Sequence, residues 1–221
     1  MRIVAACLPL VLLAGCFGGG NDRPPPPRQD AGRPLGYRAP PSAQTRACLA
    51  DLSRSGIRYS PVPDQNFGGG CAIAGAVSLL DIGVPVTGLR AMRCGLAEAF
   101  TGWVRYAVAP AAYQILGSNL VRVETFGTYA CRNVIGNAAA GNRRSGHAIA
   151  NAVDVAAFVL ADGRRVTVAS DWRSGSPETQ AFWRTIHASA CKRFGTVLSP
   201  DYNTAHRDHL HLEDDAASFC R

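Results

Sequence analysis

The sequence predicts an α+β fold in which a small antiparallel sheet is flanked by helices and stapled by disulfides. In the first half of the domain, apolar residues recur at three- and four-residue intervals, which is typical of helices. In the second half, short segments alternate in polarity around an Asp-Gly turn, which is typical of an antiparallel sheet. Six cysteines are spread over both halves. Helices followed by strands indicate the α+β class.

The first 15 residues are predicted to be a secretory signal peptide. They carry a positive charge at Arg2, then an apolar run, and they end in small residues before Cys16. The run is too short to cross a bilayer of about 30 Å as a helix. The ending resembles the bacterial lipobox, which implies cleavage before Cys16 and a lipid anchor on that residue. The alternative is an ordinary secretory signal with a chance cysteine.

Residues 16–41 are predicted to be a tether, and residues 42–221 the domain. The tether is Gly-rich and then Pro-rich, with almost no large apolar residues. A polyproline stretch extends by about 3.1 Å per residue, so it can hold the domain away from a membrane. The chain has 221 residues and is 47% hydrophobic, which is enough for one core.

Two helical segments are predicted in the first half of the domain. Residues 42–55 are predicted to be the first helix. Residues 92–116 are predicted to be mainly helical, with Pro110 marking a break or a second helix start. Between these segments, residues 61–70 are predicted to be a loop. The apolar run 72–80 is either a buried strand or a buried helix, because periodicity does not separate the two.

The second half is predicted to supply the sheet and one long helix. Strands are predicted at residues 121–126, 152–160, 165–169, 196–198 and 209–213. The second and third of these flank Asp162-Gly163, which indicates a hairpin. Residues 178–194 are predicted to be a helix, with Ser176 as its N-cap and Pro177 at its first position.

The cysteines are predicted to form three disulfides. Of the eight cysteines, Cys7 and Cys16 precede the domain, and an even number remains in a domain predicted to be exported. None of the six has the C-x-x-C spacing of a structural zinc site or a redox motif. The sequence does not select one connectivity.

The charge pattern argues against nucleic acid as a partner. The formal net charge of +7 is spread along the chain, with no block of like charges and no interleaving of basic and aromatic residues. A basic protein is attracted to anionic surfaces such as the cell wall or lipid head groups.

Histidines are used unevenly and mark a candidate site. Four of the five lie in two short polar segments. In the second segment, strand alternation places His209 and His211 on one face, while the leucines between them face the core. In the first, Asp154 begins an apolar strand, where a lone buried carboxylate is costly unless it is paired or binds a cation. His147 precedes it across a loop that can bend back.

His147, Asp154 and one imidazole of the pair His209 and His211 are predicted to bind a Zn²⁺ ion. Two imidazoles and a carboxylate, one of them distant in sequence, form a three-ligand set that leaves a fourth position for water. Such a water loses its proton more easily than bulk water. The alternative is that each residue caps a loop or lies exposed on a strand. The joint pattern favours the metal.

The motif Ser145-x-His147-x(6)-Asp154, followed by His209-x-His211, resembles the zinc peptidases of the D-alanyl-D-alanine carboxypeptidase and murein endopeptidase group. When the segment Tyr129-Ala130-Cys131-Arg132 is included, the chain more closely resembles the bacterial extensin-like C-terminal domain family, over about residues 48–220. The resemblance implies that His147, Asp154 and His211 are the three metal ligands.

The resemblance also implies that Arg132 meets a substrate carboxylate or carbonyl, because a guanidinium can bind a carboxylate through two parallel hydrogen bonds. The alternative is a surface charge beside Cys131. Many members of the wider group have Gly where Ala150 stands, and a methyl group there could alter the turn.

The sequence leaves two neighbouring residues as candidates for the general base. Many members of the group have an acidic residue at the place of Asp208, and others have a histidine at the place of His209. Strand alternation puts His209 beside His211 and Asp208 on the other face. We therefore favour His209, with Asp208 as the alternative base or as a residue that orients a ligand.

The resemblance implies a zinc-dependent carboxypeptidase or endopeptidase that cleaves the peptide stems of peptidoglycan. The predicted signal and anchor imply a periplasmic lipoprotein, attached to the outer rather than the inner membrane because Phe17 and not Asp follows Cys16. The alternative is a non-catalytic lipoprotein that binds the cell wall or has a structural role on the same metal-binding scaffold.

Overall fold

The structure is a computed structural model, and it describes residues 42–221. The predicted signal peptide, the lipidated Cys16 and the tether lie outside the described residues. Within the described part of the chain, no helix has the length and apolar character needed to cross a membrane.

The predicted α+β class is confirmed by a mixture of helices and mainly antiparallel sheets. The helices are α1 (Ser42–Arg54), α2 (Cys94–Trp103), α3 (Ala109–Leu116), α4 (Val168–Ser174) and α5 (Pro177–Arg193). The strands before α3 are β1 (Arg58–Val62), β2 (Gln65–Gly68), β3 (Cys71–Ile73), β4 (Ala76–Asp81), β5 (Val86–Thr87) and β6 (Met92–Arg93). The strands after α3 are β7 (Leu120–Gly127), β8 (Ala152–Leu160), β9 (Arg165–Thr167), β10 (Thr196–Leu198), β11 (Leu210–Glu213) and β12 (Phe219–Cys220).

The main sheet has seven strands in the order β12-β10-β11-β8-β7-β5, with β9 also paired to β8. Its central pairs are antiparallel, and the outer pairs β10–β12 and β5–β7 are parallel. Strands β1, β4 and β6 form a small second sheet, and β2 and β3 form a separate hairpin. The main sheet carries the candidate site.

Strand β8 is buried along almost its whole length, because both of its faces are covered. On one face, Phe158 packs against Phe182 and Trp183 of α5. Across the same core, the Trp103 indole nitrogen donates a hydrogen bond to the carbonyl of Ile186 at 3.0 Å. Large aromatic side chains dominate the energetics of such a core. The sheet is therefore firmly fixed behind the site.

Most of the predicted elements are confirmed. The segment 92–116 is mainly helical, with a π-helical turn (Val104–Val108) between α2 and α3 and Pro110 in the first turn of α3. The hairpin of β8 and β9 forms around Gly163, whose φ of 89° is the left-handed conformation that favours glycine. Ser176 caps α5 by accepting a hydrogen bond from the Thr179 amide.

The predicted loop at residues 61–70 is wrong, because β1 ends and β2 lies there. Pro61 is tolerated since β1 pairs only with β4 and is an edge strand. Every residue of β2 is exposed, so its sequence has no alternating apolar pattern. The ambiguous run 72–80 is strand, divided between β3 and β4.

The predicted order of helices before strands is also wrong. Six short strands lie between α1 and α2. Except for the β2–β3 hairpin, they pair with strands that do not follow them directly along the chain, so a local pattern does not reveal them. The strand predicted at 165–169 ends at Thr167, whose side chain caps α4, and the strand predicted at 209–213 begins at Leu210.

The three predicted disulfides are present, and the structure selects their connectivity. Cys48–Cys94 joins α1 to α2, Cys71–Cys131 joins β3 to the loop after β7, and Cys191–Cys220 joins α5 to β12.

Candidate metal centre

The sheet register brings the three predicted ligands to one point. In the antiparallel pair of β8 and β11, His211 lies directly opposite Asp154. His147 lies in a short 3-10 helix (Gly146–Ile149) that leads into β8, and the Ser145 hydroxyl caps this helix by accepting from the His147 amide. All three ligand side chains are buried.

The donor atoms lie slightly closer together than the ligands of a tetrahedral zinc ion. Asp154 Oδ2 is 3.0 Å from His147 Nε2, and Asp154 Oδ1 is 2.8 Å from His211 Nδ1. The two imidazole nitrogens are 3.2 Å apart. Bonds of about 2.1 Å to zinc separate tetrahedral ligands by about 3.4 Å, so a small expansion of this set would admit the ion. The residues fit a zinc ion.

Both imidazoles of this set have a partner on the nitrogen that faces away from Asp154. His147 Nδ1 lies 3.2 Å from the Thr128 carbonyl oxygen, which can only accept its proton. His211 Nε2 lies 2.6 Å from a Glu213 carboxylate oxygen. Donation from these nitrogens leaves His147 Nε2 and His211 Nδ1 as the atoms that face the centre.

Without metal, the site is a tightly coupled acid–base cluster. Burial alone would raise the pKa of Asp154, but hydrogen bonds from His147 and His211 outweigh it and hold that pKa far below its usual range. Burial opposes protonation of His211, but hydrogen bonds to Asp154 and Glu213 prevail and raise its pKa to about 9. The cluster therefore holds a proton that a cation would displace.

The two candidates for the general base form a hydrogen-bonded pair. His209 Nδ1 lies 2.9 Å from Asp208 Oδ1, and His209 Nε2 lies 3.6 Å from Asp154 Oδ1. His209 immediately precedes β11 and is mostly buried, whereas Asp208 lies in the turn before it. The imidazole thus faces the centre, and the Asp208 carboxylate lies behind it.

Arg132 is beside the same centre. Its Nη2 is 3.6 Å from Asp154 Oδ2, and one third of its side chain is exposed. The Cys71–Cys131 disulfide and a hydrogen bond from the Ser145 amide to the Arg132 carbonyl fix its backbone. All six predicted site residues of the domain therefore lie together.

A cavity of about 640 Å³ opens beside these residues. His209, His211 and Glu213 line the end at the candidate centre. Arg132, Arg143 and Arg144 line the wall that belongs to the loop after β7, and Tyr202 and Phe219 line another part. The cavity is large enough for a short peptide segment and offers it positive charge.

Three nearby residues were not singled out by the sequence. His206 packs its ring 5.2 Å from that of His209 and 5.8 Å from that of His211, and burial together with those two rings lowers its pKa to about 4. Phe126 packs edge-on against His209. Glu213 extends the alternation of the His-x-His segment by one step, and this signal could have found it.

Ala150 adopts the left-handed backbone conformation that favours glycine. It has φ 54° and is the one non-glycine residue with a positive φ among residues 42–221. This left-handed turn lets the Asn151 amide donate to the Gly146 carbonyl and close the loop that carries His147. The methyl group costs about 1 kcal/mol of conformational strain, but it keeps the turn.

Comparison with known proteins gives one finding. A family model described as "Extensin-like protein C-terminus" matches residues 46–221. Neither the curated proteins nor the solved structures give a match.

Proposed function

The chain belongs to the extensin-like protein C-terminus family, and we propose that its domain is a zinc-dependent peptidase that cleaves the peptide stems of peptidoglycan. The observation that carries this proposal is the convergence of His147, Asp154 and His211 with the His209–Asp208 pair at the end of a cavity. A relationship to the zinc carboxypeptidase and murein endopeptidase group is part of the proposal.

Zinc at this centre would act as a Lewis acid toward the amide carbonyl and make a water molecule easier to deprotonate. His209 is the group that accepts a proton there. Its Nδ1–H donates to Asp208, which leaves the lone pair of Nε2 directed toward the centre. The protonated imidazole can then return the proton to the departing amine.

Arg132 supplies the positive charge that holds the peptide. A guanidinium beside the reacting centre can bind a substrate carboxylate or stabilise the negative oxygen that forms at the carbonyl. The arginines of the cavity wall attract an anionic peptide to the same place.

We further propose that the protein is a periplasmic lipoprotein. The signal sequence, the lipid on Cys16 and the Pro-rich tether would let the domain reach peptidoglycan from the outer membrane. The basic net charge of +7 favours contact with an anionic wall.

The test has two parts, the metal content of the purified protein and its action on purified sacculi. We expect one zinc per chain, which His147→Ala loses, and released muropeptides that mass spectrometry identifies only with the unmodified protein. Zinc without released muropeptides would contradict the peptidase and support a wall-binding lipoprotein. Absence of bound metal would contradict both.

A further inference from the structure

Glu213 makes two contacts at the back of the candidate centre. It lies two residues after His211 on the same face of β11, and only 18% of its side chain is exposed. Its Oε1 is 2.6 Å from His211 Nε2 and 3.3 Å from the Gly146 amide nitrogen. The carboxylate thus contacts both one predicted ligand and the residue that precedes the other, His147.

The two imidazoles have different partners. His147 donates to the neutral carbonyl of Thr128, whereas His211 donates to a carboxylate. A carboxylate accepts more strongly than a carbonyl and makes the opposite ring nitrogen a better electron donor. Because a free histidine exchanges between two tautomers, a fixed acceptor at Nε2 also selects Nδ1 as the atom that binds metal.

Gly146 leaves the space that Glu213 occupies. A methyl group at this position would lie 2.5 Å from the Glu213 carboxyl carbon and would force that carboxylate away. Gly146 does not have a positive φ, so alanine is compatible with its backbone. The need for glycine here therefore comes from the carboxylate and not from the turn.

We propose that Glu213 is a positioning residue that fixes His211 as an Nδ1 ligand and strengthens metal binding. This inference rests on the proposed metal centre, and it adds a residue that acts through His211. Gly146 is part of this arrangement because its missing side chain leaves space for the Glu213 carboxylate.

The test compares zinc affinities of the folded full-length protein by competition with a chromophoric chelator. We expect Glu213→Ala and Gly146→Ala to bind zinc about 10- to 100-fold more weakly. Glu213→Gln keeps an acceptor of the same shape, so we expect a loss of about 10-fold or less. The matched control is Asp215→Asn, which removes a carboxylate from the same cavity wall and should leave the affinity within about 2-fold.

A second readout separates positioning from a structural role. In the zinc-bound protein, ¹⁵N spectra of the imidazoles should show a proton on His211 Nε2 and metal at Nδ1, and Glu213→Ala should disturb this signature. Thermal unfolding of the metal-free variants establishes that they are folded, and the isosteric Gln variant keeps the test available if Ala does not fold.

The outcomes are distinct. Equal zinc affinity of Glu213→Ala and the unmodified protein would overturn the inference while leaving the metal centre intact. Equal affinity of Gly146→Ala would overturn the role of the glycine. If the unmodified protein itself binds no zinc, the proposed metal centre fails first. Peptidase activity does not enter these measurements, so its absence would not affect the result.

Discussion

His209 is held by contacts on several sides of its ring. Asp208 accepts from Nδ1, Phe126 packs edge-on against the ring, and His206 covers another side. These contacts restrict rotation of the imidazole, so Nε2 stays directed toward Asp154 at 3.6 Å. A general base works best when it is held in this way within reach of the reacting proton.

Replacement of His209 is therefore expected to remove activity without removing the metal. We predict that His209→Ala lowers kcat by about 10²- to 10⁴-fold on a peptidoglycan stem peptide, with zinc content unchanged. Asp208→Asn should lower kcat less, because it weakens only the orientation of the ring. The neighbouring exposed Arg207→Ala is the control. A larger loss for Asp208→Asn than for His209→Ala would identify Asp208 as the base.

Arg132 is expected to act mainly on substrate binding. A charge-assisted hydrogen bond contributes about 1.5 to 3 kcal/mol, which corresponds to about 10- to 100-fold in kcat/KM. We predict a loss of this size for Arg132→Ala and a smaller loss for Arg132→Lys, which keeps the charge but not the planar fork. Steady-state kinetics would measure both. Arg173→Ala, at an exposed arginine paired with Asp201, is the control, and an equal loss there would contradict a specific role.

At the scale of elements, the β8–β11 pairing decides whether the site exists. His211 and Asp154 are directly opposite in this register, and a slip by one residue would turn each side chain to the other face of the sheet. The buried β8 leaves little freedom for such a slip, because Val153 and Val155 alternate with Asp154 into the core. Packing of the core therefore fixes the positions of Asp154 and His211.

Close contact between β7 and the turn after β5 gives a test of this sheet. A methyl group at Gly88 would collide with the carbonyl oxygen of Thr125, and its φ of 84° is left-handed. We predict that Gly88→Ala lowers the free energy of unfolding by about 2 to 4 kcal/mol. Gly56→Ala is the matched control, since Gly56 has φ 68° with open space around it, and should cost about 1 kcal/mol. Equal effects in urea unfolding would contradict the collision.

At the scale of the whole molecule, we expect folding and the proposed metal binding to be coupled through His211. In the metal-free protein its pKa is raised from 6.5 to about 9. A raised pKa contributes stability that is fully present below pH 6.5 and is lost as the pH rises through about 9. Zinc needs the deprotonated Nδ1, so metal affinity changes with pH in the opposite direction.

The two trends should be visible in one set of unfolding curves. We predict that the metal-free protein becomes less stable between pH 6.5 and 9, the ordinary and raised pKa of His211, whereas the stabilisation added by zinc increases over the same interval. Urea unfolding with a chelator or with excess zinc measures both. His211→Asn should flatten both trends. A metal-free stability that rises with pH would contradict the proton on His211.

The α+β class and six residues that lie together at the candidate site could be predicted from the sequence alone. Local periodicity was sufficient for α1, α5 and the β8–β9 hairpin, because their pattern is carried by neighbouring residues. Uneven histidine spacing pointed to the two segments that carry the candidate site, and the family resemblance selected His147, Asp154 and His211, which come together in space.

Other features could be read only from the packed structure. These features are the disulfide connectivity, the strands within the predicted loop at 61–70, and the hydrogen bond between Asp208 and the Nδ1 of His209. The structure also showed that Glu213 contacts both His211 and the Gly146 amide. The reason is physical: strand register, burial and hydrogen-bond partners are properties of packed surfaces, and a single segment of sequence does not contain them.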